Sequence, residues 1–342
     1  MTKIALTALF AGLFSGCISP LIAQTRLPTL EVVKQRGLVV CGANVGLPGF
    51  SVPDQQGNWS GMDVDFCRAI ASAIFNDPTK VKFIPTSSVT RFATLQSSEV
   101  DVLSRNVTWT SSRDTALGFN FGAVTYYDGQ GFMVRKSSGT KSARDLSGAT
   151  VCVNQGSTTE LNLADYFRSN AMQLKVVSFP SGEESVKAYE AGRCDSFTTD
   201  VSGLYAERLK MANVGDHVIL PEIISKEPLA PAVRHGDDQW YDIVKWVHFA
   251  MITAEELGVT KANVDEQLKS TNPDIRRLLG TEGKHGEALG LANDWAYRII
   301  KHVGNYGENF ERNIGANSQL KITRGLNALW SKGGLQYAPP IR

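Results

Sequence analysis

The sequence predicts an α/β protein of two lobes, each a sheet flanked by helices. The chain has 342 residues, and because a single hydrophobic core stops growing at about 250–300 residues, two domains are expected. One layout also occurs twice: a helical pattern, a tight turn, a short strand, and a polar residue where the strand ends. The first copy spans 95–106 and ends at Asn106, and the second spans 189–200 and ends at Asp200.

The elements follow in chain order. A short helix over 27–35 stops at Gly37, because glycine favours the left-handed conformation found at helix ends. Residues 57–63 form a predicted turn and helix start, in which Asp63 is suited to be the N-cap. Arg91 lies in the first turn of a helix that starts at 88, and we expect a solvated side chain rather than one in the cleft. Other predicted elements are strands at 38–41, 81–84, 100–103 and 151–153, a helix beginning at 158, and a helical tail from 235.

The polar strand ends predict a ligand site between the lobes, because ligands of open α/β sheets bind outside the carboxyl ends of strands. After the first strand come Thr108 and Arg113, and a guanidinium matches a carboxylate through two parallel hydrogen bonds. In the other lobe, Asp200 would face an ammonium group. The two charges together describe an α-amino acid. The alternative is a polar loop in which Arg113 pairs with Asp101 or Asp114.

Composition and motifs limit the classes of function. The net charge is +1, so there is no basic field for nucleic acid or an anionic membrane. The sequence contains no phosphate-binding loop, dinucleotide fingerprint, zinc-protease motif or nucleophile elbow. The five histidines lie apart without metal-ligand spacing. We therefore expect no metal, no cofactor and no catalytic residues.

The first 23 residues have the pattern of a signal peptide. Lys3 precedes an apolar stretch over 4–14, and a small residue, Ala23, ends the segment. The alternative is cleavage before Cys17, which would leave a lipid anchor, although Phe14 is unfavourable for that processing. No apolar run of spanning length follows, so we expect an exported protein that does not itself span a membrane.

Several segments carry a resemblance to a known family: 57–66, 108–113, 126–132, 195–200, 305–308 and 324–330. The chain resembles the periplasmic solute-binding proteins of polar and general amino-acid ABC transporters, and within them the general L-amino-acid branch. The resemblance implies the type II periplasmic-binding-protein fold with two hinge crossings, near 126–134 and 221–233. Lobe 1 would comprise 24–130 and 231–342, and lobe 2 would comprise 131–230.

The resemblance also implies a function and a set of ligand contacts. The protein would capture free L-amino acids of broad range in the periplasm by closing its cleft, and would deliver them to a membrane permease. Arg113 and Thr108, with the amide of Thr158, would hold the ligand carboxylate. Asp200 and the backbone of Asn106 would hold the ammonium group.

Three further ligand contacts are implied by the family's motifs: Asn154, Ser157 and Leu47. For Ser157, a plain helix N-cap is the alternative, and both roles can hold at once. Many relatives have an aromatic residue where this chain has Leu47, so Leu47 could instead anchor its loop.

Four cysteines follow the predicted signal peptide: Cys41, Cys67, Cys152 and Cys194. An even number in an exported chain favours disulfides, and four cysteines allow three pairings. Because each lobe holds two, we predict Cys41–Cys67 and Cys152–Cys194, each contributing about 3–4 kcal/mol. The alternative is four buried thiols.

Two other classes of protein remain open at this stage. Some proteins of the same fold are periplasmic enzymes, such as dehydratases of aromatic-pathway acids, but the C-terminal segments favour a binding protein. Others are sensors, which usually carry a membrane span or signalling module in the same chain, and this sequence shows neither.

Overall fold

The computed structural model describes residues 27–342. The predicted signal peptide and the alternative lipid site at Cys17 lie outside the described residues. In chain order the strands are β1 (Val39–Asn44), β2 (Val52–Pro53), β3 (Trp59–Ser60), β4 (Val81–Thr86), β5 (Val102–Leu103), β6 (Phe119–Phe121), β7 (Tyr126–Asp128), β8 (Gln130–Arg135), β9 (Thr150–Asn154), β10 (Lys175–Phe179), β11 (Ser196–Asp200), β12 (His217–Ile219), β13 (Glu227–Leu229) and β14 (Ala232–Arg234).

The α-helices lie on both sheets and fill the C-terminal third. They are α1 (Thr29–Arg36), α2 (Met62–Phe75), α3 (Arg91–Gln96), α4 (Thr158–Ser169), α5 (Gly182–Glu190), α6 (Val201–Arg208), α7 (Asp238–Glu256), α8 (Val264–Gln267), α9 (Pro273–Leu278), α10 (His285–Ala288), α11 (Trp295–His302) and α12 (Tyr306–Asn313). Gly37 ends α1 in the left-handed conformation, as predicted. Asp63 does not cap α2, because Gly61 holds the cap position and the Asp63 carboxylate instead accepts a hydrogen bond from the Asn106 amide.

Two five-stranded sheets share one topology. The first has the order β4-β1-β5-β14-β6 and the second the order β10-β9-β11-β8-β12. In each sheet the first three strands are parallel and the fourth is antiparallel to both of its neighbours. In each sheet the antiparallel strand is the one that follows the crossing from the other sheet: β14 in the first sheet and β8 in the second. This arrangement confirms the predicted α/β fold of two mixed sheets flanked by helices.

Two antiparallel strands, β7 and β13, connect the sheets side by side. The chain leaves the first sheet through β7 and returns to it through β13. Directly after β7, a Cβ atom added at Gly129 would lie 2.2 Å from Ile223 Cγ2 and 2.8 Å from the Ser225 carbonyl oxygen, both of which precede β13. Glycine is therefore required where the two crossings meet.

The C-terminal segment binds the first crossing. The Asn327 side chain accepts a hydrogen bond from the Tyr127 amide at 2.7 Å and donates one to the Tyr127 carbonyl at 3.0 Å. The Tyr306 hydroxyl donates to the Thr125 carbonyl, and the Gln336 amide donates to the Val124 carbonyl. The helical tail thus fixes residues 124–127 to the first lobe, a role that the sequence did not indicate.

Both predicted disulfides are present. Cys41 on β1 is joined to Cys67 on α2, and Cys152 on β9 is joined to Cys194 just before β11. All four cysteines are buried. Each bond ties the parallel core of one sheet to a neighbouring element, and the alternative of four free thiols is excluded.

Candidate functional site

A cavity of about 480 Å³ lies between the two sheets. Its lining contains Asn44 and Asn154, which end the equivalent strands β1 and β9, and Asp200, which ends β11. Asn106, shortly after β5, lines it as well. Polar residues at the carboxyl ends of strands in both sheets therefore converge on one space, as expected for open α/β sheets.

Asn106 adopts a left-handed backbone conformation with φ of 47°, which asparagine tolerates better than most residues. Its amide donates to Asp63 Oδ2 at 3.0 Å, and its side-chain oxygen accepts from Asn44 Nδ2 at 2.9 Å. The Asn106 side chain also lies close enough to Asp200 to lower the pKa of that carboxyl. These contacts hold the residue rigidly in its unusual conformation.

Asp200 is the buried acid of the second wall, with 6% of its surface exposed. Burial raises its pKa well above the ordinary value, and the neighbouring carboxylates of Asp128 and Glu227 raise it further, while the polar Asn106 side chain and the charge of Arg91 lower it. Such a carboxylate is stabilised by a cation that reaches it. Asp200 therefore has the electrostatic character needed to hold an ammonium group.

Arg113 is buried, but it is not among the residues that line the cavity. Its Nη1 donates to the Thr108 carbonyl at 2.8 Å, and its guanidinium lies 5.2 Å from the Phe92 ring centroid. The alternative pairing within its own loop does not form, because Asp101 pairs with Arg36 and Asp114 accepts from the Trp109 indole. The other seven predicted contacts all line the cavity: Leu47, Asn106, Thr108, Asn154, Ser157, Thr158 and Asp200.

Two further arginines, Arg91 and Arg105, line the cavity. Each is only 3% exposed, so the expectation that Arg91 is solvated is wrong: the first turn of α3 faces the cleft. The Nε atom of Arg91 and the Nε and Nη1 atoms of Arg105 are buried without a hydrogen-bond partner. Burial lowers the pKa of Arg105 to about 10, while the nearby Asp63 carboxylate raises it and Arg113 lowers it. Burial likewise lowers the pKa of Arg91, and the charges of Arg105 and Arg113 lower it further.

A carboxylate on the return crossing, Glu227, joins the two walls. Its Oε2 accepts from Thr108 at 2.6 Å and from Thr158 at 2.9 Å. Its Oε1 accepts from Asn162 and Ser225, each at 2.6 Å. Because a hydroxyl has a single proton to donate, Thr108 and Thr158 offer only lone pairs to other partners in this arrangement. The sequence analysis did not predict a role for this residue, which lies between two prolines of the crossing.

The loop before α4 forms the rest of the second wall. Ser157 caps this helix by accepting a hydrogen bond from the Glu160 amide, so its N-cap role holds. The first turn of α4 brings Thr158 to the cavity, and the free amides and dipole at a helix N-terminus favour an anion.

The lobes also touch each other around the cavity. Asn154 Nδ2 donates to Ser88 Oγ at 3.1 Å, and Lys210 Nζ donates to the Gly46 carbonyl at 3.1 Å. Thr108 and Thr158 approach to 3.2 Å. These contacts join residues of different sheets, so the structure represents a closed arrangement of the cleft.

Leu47 is 6% exposed and packs in the core of the first lobe while also lining the cavity. Its amide pairs with the Ser51 carbonyl in a tight turn. The side chain thus anchors its loop and presents an apolar surface to the cavity.

Between residues 27 and 342, no helix is both long and apolar enough to cross a membrane. In the same part of the chain, histidine, cysteine, aspartate and glutamate do not form a group of three or more that could hold a metal ion.

Proteins of known family resemble this chain over nearly its whole length. It is 65% identical over 316 residues, 92% of this chain and 93% of the relative, to the general L-amino acid-binding periplasmic protein AapJ of Rhizobium johnstonii. It is 54% identical over 341 residues, 99% of this chain and 98% of the relative, to the glutamate/glutamine/aspartate/asparagine-binding protein BztA of Rhodobacter capsulatus.

A solved structure shows the same fold. The ABC transporter periplasmic binding protein of Brucella ovis, solved with glutathione bound, superimposes with a TM-score of 0.91 at 60% identity, covering 93% of this chain and all of that one. Residues 39–262 match the family of bacterial extracellular solute-binding proteins, family 3. With its two-sheet fold, its closed cleft and these relatives, the chain belongs to the bacterial extracellular solute-binding proteins of family 3.

Proposed function

We propose that this protein binds free L-amino acids in the cavity between its lobes and delivers them to the membrane permease of an ABC transporter. The observation that carries the proposal is the buried acid Asp200 facing a group of buried arginines within one closed cleft. The names of the relatives AapJ and BztA, which bind amino acids, support the same ligand class. The family's members act outside the cytoplasm, and we propose the periplasm as the location and ligand binding without turnover as the activity.

The roles proposed for the ligand contacts follow from their charges. Asp200 holds the ammonium group, aided by the backbone of Asn106. Arg113 lies behind Thr108 and not on the cavity lining, so its guanidinium would have to turn into the cavity to hold the carboxylate with the amide of Thr158. The hydroxyls of Thr108 and Thr158 give their protons to Glu227, so they favour the ammonium side of a ligand, which differs from the role at the carboxylate expected of Thr108 from the sequence. Each charge-assisted hydrogen bond contributes about 1.5–3 kcal/mol, and several of them supply the roughly 8 kcal/mol of micromolar binding after the costs of association.

Broad specificity follows from contacts that all amino acids share. Discrimination by an apolar pocket, such as the surface that Leu47 presents, reaches only about 1–3 kcal/mol per methylene. The cavity has a volume of about 480 Å³. That space suits large side chains, and because the Brucella ovis relative holds glutathione, small γ-linked peptides are a second candidate class of ligand.

Closure of the cleft is the proposed output. We propose that lobe 1 comprises 24–130 and 231–342, that lobe 2 comprises 131–230, and that the paired strands β7 and β13 form the hinge. A ligand that touches both walls favours the closed population by its differential affinity. Since the C-terminal segment holds Tyr127, bending would begin after that residue, near Gly129.

Isothermal titration calorimetry of the processed protein, unfolded and refolded to remove bound ligand, tests the proposal. We expect micromolar or tighter binding of chemically diverse L-amino acids, and loss of measurable binding in Asp200→Ala and Arg113→Ala. The exposed ion pair of Asp165 and Arg168 provides matched controls, Asp165→Ala and Arg168→Ala, which should bind normally. Failure of the wild-type protein to bind any amino acid would refute the proposed ligand class, and unchanged affinity in either site variant would refute that residue's role.

A further inference from the structure

A second cavity, of about 710 Å³, lies at the outer edge of the first sheet, and we call it the edge cavity. It shares no lining residue with the cavity between the sheets. Its apolar side includes Phe83, on the outermost strand β4, and Trp59, whose ring centroid lies 5.5 Å from that of Phe83. Its other side comes from α2 and from residues that follow α7: Lys261, His302, Val303 and Arg312. The C-terminal third of the chain therefore completes this space.

Positive charge dominates the lining of the edge cavity. Arg68, Lys261 and Arg312 stand against a single carboxylate, Asp65, which leaves a formal excess of two positive charges. Asp65 is only 7% exposed, and it accepts hydrogen bonds from Arg68 Nη1 at 3.1 Å and from Arg312 Nη2 at 2.6 Å. Lys261 Nζ donates to the His302 carbonyl at 2.9 Å rather than to an acid. One carboxylate thus fixes two guanidinium groups but balances the charge of only one.

Two acids beside the edge cavity are engaged elsewhere. Glu308 accepts hydrogen bonds from the backbone amides of Lys261 and Asn305. Asp77 accepts from the amide and the hydroxyl of Thr79. Neither acid lines the cavity, so its positive charge is available to an anion from solution.

The outer strand of the sheet favours a small molecule over a peptide as the occupant. Two residues of β4, Lys82 and Pro85, are exposed, and both residue types hinder the addition of a further strand to a sheet edge. The apolar surface is instead provided by the side chains of Trp59 and Phe83, and aromatic rings pack well against another flat ring. Guanidinium and ammonium groups bind a carboxylate through charge-assisted hydrogen bonds.

We propose that the edge cavity is a second binding site, separate from the amino-acid cleft, for a small aromatic carboxylate. The ligand's ring packs against Trp59 and Phe83, and its carboxylate is held by the cations of the opposite side. Arg68 and Arg312 keep their bonds to Asp65 and remain partly exposed, with 32% and 46% of their side-chain surfaces accessible. The inference goes beyond the amino-acid function, because it uses no residue of the cleft.

Three probes that separate ring from charge test this site: indole-3-acetate, indole-3-acetamide and acetate. In calorimetric titrations, we expect indole-3-acetate to bind with a Kd at or below about 1 mM. The acetamide should bind at least about fivefold more weakly, because it lacks the charge, and acetate should bind more weakly still, because it lacks the ring. In Lys261→Met the affinity for indole-3-acetate should fall at least about threefold. The exposed Lys269, which does not line the cavity, provides the matched control Lys269→Met, which should bind as the wild type does.

The variant Asp200→Ala separates this site from the cleft, because Asp200 lines only the cavity between the sheets. It should bind indole-3-acetate with wild-type affinity, and loss of that binding would place the probe in the cleft and overturn the proposal. No binding of indole-3-acetate, or unchanged affinity in a folded Lys261→Met protein, would also overturn it. Equal affinities for the acid and the amide would exclude the role of the cations, and equal affinities for acetate and indole-3-acetate would exclude the role of the aromatic pair. None of these titrations depends on whether the cleft binds amino acids.

Discussion

Replacement of Glu227 should weaken ligand binding by destabilising the closed cleft. The carboxylate accepts hydrogen bonds from Thr108 in the first wall and from Thr158 and Asn162 in the second. Opening of the cleft separates these walls, so at least one of the two sets of bonds must break. Glu227 therefore contributes to the difference in free energy between closed and open forms, which adds directly to the ligand's binding free energy.

The size of the effect depends on the substituent. In Glu227→Gln the amide oxygen can accept from Asn162 and Ser225, while its NH₂ group donates to the hydroxyls of Thr108 and Thr158, which rotate to accept. Every bond is kept but loses its charge assistance, about 1 kcal/mol each, and lower desolvation offsets part of that loss. We expect a net change of about 1–2 kcal/mol, equivalent to roughly 5- to 30-fold weaker binding. In Glu227→Leu the partly buried Asn162 NH₂ group and the threonine hydroxyls lose their acceptor, and the loss should reach about 3 kcal/mol.

Calorimetric titration of both variants with one amino acid, combined with thermal unfolding of the ligand-free proteins, measures this difference. The exposed Glu99 provides the control Glu99→Gln, which should bind as the wild type does. Wild-type affinity in Glu227→Leu would refute the reasoning, because it would mean that the network contributes equally to open and closed forms. A glutamine variant weaker than the leucine variant would contradict the proposed rearrangement of the hydroxyls.

Three further predictions concern protons, disulfides and the hinge. Burial and neighbouring acids raise the pKa of Asp200, and a bound ammonium group would lower it, so ligand binding should release protons at a pH below the pKa of the free protein, and affinity should weaken as the pH is lowered. Calorimetry in buffers of different ionisation enthalpy measures the proton release. The variant Asp200→Asn should lack the proton release that comes from Asp200. The Cys152–Cys194 bond closes a loop with a sequence separation of 42. The double variant Cys152→Ser/Cys194→Ser should therefore have an unfolding free energy lower by about 4 kcal/mol, and an unchanged denaturant midpoint would contradict this prediction. Asn327→Ala, which frees Tyr127, should raise hydrogen exchange at residues 124–127 and leave exchange in β9 unchanged.

The fold and most of the site could be predicted because strand ends are local features. Asn106 and Asp200 follow short apolar strands at equivalent places in a repeated layout, and in an open sheet that place is where ligands bind. Seven of the eight predicted contacts line the cavity. The disulfides followed from the same division into lobes, since each pair lies within one sheet and its neighbouring element.

Arg91 could not be placed from its local pattern. A first-turn arginine after polar residues resembles a solvated one, and only the packing of α3 against the first sheet turns it toward the cleft. Arg105 lies directly before Asn106 in the first copy of the repeated layout. Its neighbours in sequence do not show that two of its guanidinium nitrogens are buried without a hydrogen-bond partner.

Glu227 shows why the rest of the site could not be predicted from local sequence patterns. Its partners Thr108 and Thr158 are 119 and 69 residues away in sequence, and the acid itself sits in a short crossing strand between two prolines. A buried carboxylate is stable only where several donors converge, and here those donors come from both lobes and from the crossing. The same convergence fixes the chemistry of the cavity, because the hydroxyl protons committed to Glu227 are unavailable to a ligand. Glu227, which is not a predicted ligand contact, therefore determines which ligand groups can bind to the threonine hydroxyls. This effect exists only in the closed cleft, where residues of both lobes contact Glu227.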